Sequence, residues 1–199
     1  MAYIQEFLMD MLYTLPVILI ALSFHEWAHA YAAYKCGDPT ARNLGRMTIN
    51  PIRHIDIIGF IMLLLIHIGW AKPVPVNGRN LNHPKRAFLI VSLAGVTVNF
   101  LLSFFFYGLW FFLFVARHTA NDALDNLLYY AWLINLNLCI FNLLPIYPLD
   151  GYQVFRRLRG ARFWVSWVGY IFERGGCYIL IALVFANIST VVLSCGAGY

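Results

Sequence analysis

Between Met11 and Tyr34 the chain is apolar apart from Thr14, Ser23 and one cluster, His25, Glu26 and His29, in the stretch FHEWAHAYAAY. Twenty-four residues in a helix suffice to cross the hydrocarbon core of a bilayer. A charged side chain near the middle of such a helix costs roughly 2.5 to 3.5 kcal/mol even on insertion scales, so its default reading is functional. His25 and His29 are four apart and therefore share one helix face, where two imidazoles can hold one metal ion. Glu26, beside the first of them, can reach a water on that ion as a general base. The bland alternative, a polar cluster satisfied between packed helices, leaves the cost of placing it in a membrane unexplained.

Composition supports the membrane setting. Of 199 residues 61% are hydrophobic and 12% charged, against about 45–50% and about 25% in an average soluble domain. No internal repeat, low-complexity segment or long polar stretch divides the chain, so residues 1–199 read as one intramembrane domain. The first ten residues carry Glu6 and Asp10 but no lysine or arginine, which argues against a cleaved signal peptide. The net charge of +5 comes from short loops between apolar segments. It therefore reports orientation and excludes a nucleic-acid partner. Cys36, Cys139, Cys177 and Cys195 show no paired spacing, which speaks against a disulfide or a cysteine metal site.

Five apolar segments stand out: Met11–Tyr34, Ile55–Trp70, Ala87–Val115, Leu127–Leu144 and Gly176–Leu193. The uninterrupted core of the second, Ile57 to Ile66, is half the roughly 20 residues a span needs. Lys35, Arg42, Arg46 and Arg53 precede it, and Lys72, Arg79, Lys85 and Arg86 follow it. Were it a span, equal basic charge would lie on both sides, against the positive-inside tendency. A re-entrant dip places both loops in the cytoplasm. Arg117, alone in the next loop, and Arg156, Arg157, Arg159 and Arg162, crowded in the following one, then fall in step. The expected fold is an all-α multi-span membrane protein. It has about four transmembrane helices, a re-entrant segment, and both termini outside the cytoplasm. Two short membrane-associated β-strands, Arg46–Asn50 and Lys72–Asn77, flank the dip, the second confined to an edge by Pro73 and Pro75. Non-helical backbone at that depth must be buried in protein or line a wet cavity.

A catalytic zinc takes three protein ligands and leaves one position open. The best third ligand is Asp150, in FNLLPIYPLDGYQVFR, where Pro145 and Pro148 break the helix. At 1.5 Å per helical residue His29 lies roughly 9 Å from Lys35, and Asp150 at most about 9 Å from Arg156, so the three ligands share a layer. Asp122 and Asp125 fall on the opposite side by the charge count, and Glu173 has Arg174 beside it. Asp56, at the start of the dip, is the runner-up.

These residues carry a resemblance. FHEWAH, NPIRHIDIIGF, GWAKPVPVN, LAGVTVN and NLLPIYPLDG together make the sequence similar to the site-2 proteases, intramembrane zinc metalloproteases, over most of its length. The resemblance implies one Zn2+ per chain on His25, His29 and Asp150, with Glu26 activating water. It also implies substrate-positioning roles for Asn99 and Asn142, whose alternative is hydrogen bonding between helices. Val96 stands where the family has a proline. Neither a PDZ nor a CBS domain is recognisable.

The expected activity is endopeptidase cleavage within or beside a membrane segment of a substrate protein, whose helix must unwind locally to expose its carbonyls. The strand-like stretches could hold that substrate by edge pairing. The expected location is a prokaryotic cell membrane, with the bilayer as constant partner and the active site nearer the cytoplasmic side. Rival readings are a metal-ion carrier, which would usually show paired broken helices, and a silent scaffold, which would lack Glu26. His54 reads as structural rather than as a ligand.

Overall fold

The computed structural model describes residues 2–66, 69–118, 120–164, 175, 176 and 178. The expected fifth apolar segment, Gly176–Leu193, lies almost wholly outside them. The chain divides into two compact units, 1–142 and 143–199.

In the first unit, α1 runs over Ala2–Lys35 and α4 over Pro84–Trp110, continuing as a π-helical turn through Phe111–Ala116. Pro84 suits the first turn of α4, where its missing N–H would have had no helical partner. Met11–Lys35 and Pro84–Ala116 are long and apolar enough to cross a membrane. Their mutual packing is close because small residues face each other. Ala21, Ala28, Ala32 and Ala33 are buried on α1, and Ala87, Val91, Ser92, Gly95 and Val96 on α4. Small side chains let two helix backbones approach where lipid supplies no hydrophobic drive between them. Outside this seam Phe100, Leu101, Phe104 and Phe105 are exposed, as a lipid-facing surface requires. α5, Asp122–Leu143, buries Leu128, Ala131, Asn135 and Cys139 at helical spacing. Tyr130 of α5 stacks on Tyr13 of α1, and Trp110 Nε1 donates to Asp125 Oδ1 at 2.6 Å.

Between α1 and α4 come the short α2, Thr40–Asn43, a 3₁₀ turn at Pro51–Arg53, and α3, Ile57–Ile66. α3 coincides with the apolar core of the expected dip. At 10 residues it is about 15 Å long, half the hydrocarbon thickness. The residues that flank α3 meet near its N-terminal end. Ile55 and Ala71 form an antiparallel bridge, and Lys72 N donates to His54 O at 2.8 Å. Gly59 and Trp70 are so close that a Cβ on Gly59 would strike the Trp70 carbonyl.

The expected strands are corrected. Among the described residues there is no sheet, only that single bridge; residues 72–77 are irregular, and the stretch 46–50 is irregular with a bend at 47 and 48. The donors explain it. Pro73 and Pro75 have none, Val74 N donates to Glu26 and Asn77 N to Asp38, while Arg46 N turns back to Ala41 O and Asn50 N to Thr48 Oγ1. Those N–H groups are spent on side chains and turns rather than on a ladder.

In the second unit the chain bends through residues 144–149 and α6 follows over Asp150–Trp164. Gly151 makes the bend possible, because a Cβ there would meet the carbonyls of Leu143 and Leu144.

Candidate metal centre

His25, Glu26 and His29 lie on the buried side of α1, each less than a tenth exposed. The face carrying the two histidines is the one that packs on α4, since Ala21, His25, Ala28, His29 and Ala32 follow one another at helical spacing. The two Nε2 atoms are 2.9 Å apart, with the rings edge to face. The Val91 carbonyl of α4 accepts from His29 Nδ1 at 2.7 Å. A carbonyl can only accept, so Nδ1 carries a proton, and Nε2 is the ring nitrogen that faces His25. This is the arrangement by which metal-binding histidines are usually fixed in tautomer and orientation. Two buried imidazole nitrogens that converge, one ring oriented from behind by a main-chain oxygen, fit a divalent transition metal with nitrogen ligands.

Gly95 makes the approach of α4 possible. A Cβ at that position would lie 2.5 Å from His29 Nε2 and 2.6 Å from His25 Cε1. Val91, Gly95 and Asn99 are one turn apart on the same α4 face. Asn99 is fully buried, and neither atom of its amide has a partner among the described residues. A buried amide without hydrogen bonds is costly unless something else satisfies it.

Glu26 points elsewhere. Its Oε2 accepts the Val74 N–H at 2.8 Å, so the chain returning from α3 lies across the carboxylate. The acceptor bond fixes one oxygen and leaves the other available for a proton.

The remaining sequence candidates are placed as follows. Asn142 is half-buried and donates to Leu138 O at 3.0 Å in its own helix. Asp150 is the first residue of α6, in the second unit. Asp56 Oδ1 accepts from Gly59 N at 2.9 Å and so caps α3. His54 is buried, donates from Nε2 to Thr48 O at 2.7 Å and accepts from Lys72 N at its carbonyl, as its expected structural role requires. Three contributors were not singled out from the sequence: Gly95, the Val91 carbonyl and the Val74 N–H. Only Gly95 left a signal, a glycine inside an apolar helix.

The histidine pair and the carboxylate beside it lie on a membrane-length helix, the set of groups that a metal-dependent hydrolase of the membrane uses. Residues 114–186 match the model of Peptidase family M50. YwhC of Bacillus subtilis, provisionally named a zinc metalloprotease, is 41% identical over 155 residues, covering 73% of this chain and 68% of that protein. Rip2 of Mycobacterium tuberculosis, named in the same way, is 33% identical over 140 residues, covering 67% of this chain and 52% of its own length. No solved structure matches. The chain belongs to peptidase family M50, the integral-membrane zinc metalloproteases.

Proposed function

We propose that this protein hydrolyses a peptide bond within or beside a membrane-spanning segment of another protein. In this reading His25, His29 and Asp150 hold one zinc, Glu26 is the general base, and Asn99 and Asn142 contact substrate. The observation that carries it is the histidine pair, 2.9 Å apart at Nε2 and oriented by the Val91 carbonyl. Zinc, when bound, supplies Lewis-acid chemistry, acidifying a water and polarising the scissile carbonyl. Glu26 takes the proton of the attacking water on its carboxylate and passes it to the departing amine. The Val74 N–H holds that carboxylate in place throughout. Asn99, with its amide unspent, is suited to bond the main chain of a substrate whose helix has opened locally. Unwinding is needed because a helical substrate keeps its carbonyls in intrahelical bonds.

The membrane arrangement belongs to the same proposal. One domain spans the membrane four times, α3 dips in and returns, and the site lies nearer the cytoplasm. The bridge between Ile55 and Ala71 supports the dip, because it closes the excursion at its mouth.

The deciding experiment is Glu26→Gln, purified in detergent. About one zinc per chain should remain, as expected for a residue outside the ligand set, while cleavage of a membrane-segment substrate should fall by at least about a hundredfold. A zinc-free Glu26→Gln protein would move Glu26 into the ligand set.

A further inference from the structure

The polypeptide over Glu26 is held at both ends by the loop that leaves α1. At one end Asp38, completely buried, accepts Asn77 N at 2.6 Å on Oδ2 and Asn80 Nδ2 at 2.9 Å on Oδ1. The same Oδ1 takes the backbone N–H of Thr40 at 3.1 Å and the Thr40 hydroxyl. At the other end Arg46 Nη2 donates to Lys72 O at 2.7 Å. Asp38 and Arg46 flank the single turn of α2. Between the two ties sits Val74, whose N–H is given to Glu26.

Pro73 and Pro75 bracket Val74 and fix φ on either side of it. Its N–H is thus the one backbone donor in a stiff stretch of three residues, and where it points follows from where residues 72 and 77 are tied. A buried carboxylate bearing four donors is also costly to set up, because it must give up water completely. Holding a surface loop does not call for one.

We infer that Asp38 is a positioning residue for the hydrolysis: through Asn77 and Asn80, and together with Arg46, it holds the Val74 N–H on the Glu26 carboxylate. The inference rests on the proposed role of Glu26 as general base. Asp38 does not touch substrate or metal. Its effect reaches the reaction as the aim of one carboxylate oxygen, and a displacement of about 1 Å in such a group costs about a hundredfold in rate.

The test uses the full chain in detergent micelles, with residue-resolved hydrogen exchange of the Val74 and Asn77 amides, zinc content, and kcat and KM on one model transmembrane substrate. Asp38→Ala should speed exchange at both amides about tenfold, the equivalent of one hydrogen bond. Zinc should stay at the parent level and KM within about twofold, while kcat falls about a hundredfold. Asp38→Asn keeps an acceptor oxygen and should recover part of kcat and of the Val74 protection. If Asp38→Ala does not fold, Asn80→Ala removes one donor and leaves the carboxylate. It should then loosen Val74 and lower kcat in the same direction, by less. Faster exchange at Asn77 with Val74 still protected and kcat unchanged overturns the inference, as does a loss confined to KM or to zinc. Glu26→Gln separates the two readings. If that variant still turns over, the assignment of the base fails, whatever Asp38 does. If it is dead while Asp38→Ala is fully active, the positioning inference fails alone.

Discussion

At the scale of single residues, the site depends on one absent side chain as much as on those present. Gly95 admits α4 to the two imidazoles, and any Cβ would force either the rings or the helix to move. Gly95→Ala should therefore lower zinc occupancy and destabilise the protein by about 1–3 kcal/mol, the usual cost of overpacking. Parallel thermal melts and metal analysis check it. The opposite effect, higher stability from the better helix former, would show that the seam has room. Asp38 gives a second prediction. Burial pushes its carboxyl up, but the bonds from Thr40, Asn80 and Asn77 outweigh burial and hold it below its ordinary value near 3.8. A lowered folded value adds stability that is fully present above the unfolded value and disappears as pH falls through the folded one. Stability should be level above about pH 5 and decline below about pH 4, and Asp38→Asn should remove part of that decline in a pH series of melting temperatures. His25 and His29 were legible as a pair because a spacing of four puts them on one helix face, whereas Glu26, next to the first of them, points toward Val74. The Val91 carbonyl and the Val74 N–H were not legible, since every residue has those groups and only the fold decides which ones meet a histidine or a carboxylate.

At the scale of elements, apolar length was a good guide and a short strand-like stretch a poor one. Ile57–Ile66 stood out because nothing polar interrupts it, and α3 occupies those residues. Lys72–Asn77 suggested an edge strand, but its donors were already committed to Glu26 and Asp38. Such long-range commitments leave no local trace. The break after α5 was legible from Pro145 and Pro148, and α6 starts at Asp150. That start gives the third-ligand proposal its test. Asp150→Asn keeps shape and removes charge. It should lower zinc occupancy and abolish cleavage, because two histidines without a third ligand make a weak zinc site. Asp56→Asn should spare the zinc and weaken only the cap of α3, by about 1 kcal/mol. Metal analysis of the two purified variants decides. Full zinc in Asp150→Asn with loss in Asp56→Asn would transfer the assignment.

At the scale of the whole molecule, the proposed orientation rests on where the basic residues fall. Arg53 precedes α3 and Lys85 follows it, and both are exposed. If α3 crossed the membrane, these positions would lie on opposite sides. The Ile55–Ala71 bridge and the bond from Lys72 N to His54 O bring the two flanks together near the start of α3, which supports the proposed dip. Cysteines at Arg53 and Lys85, in a background lacking Cys36, Cys139, Cys177 and Cys195, should both react with a membrane-impermeant thiol reagent only from the cytoplasmic side. Gly37 and Gly78 look convenient in the sequence but are unsuitable. Gly37 has φ +102°, and a Cβ on Gly78 would lie 2.7 Å from the Phe88 ring. A third cysteine at exposed Arg117, beyond the far end of α4, should react only from the opposite side and so fixes the sign of the result. Labelling of positions 53 and 85 from different sides would make α3 a span. It would also reverse α4, whose Val91 meets His29 and whose Gly95 meets both histidines, the contacts on which the proposed arrangement of α1 and α4 rests.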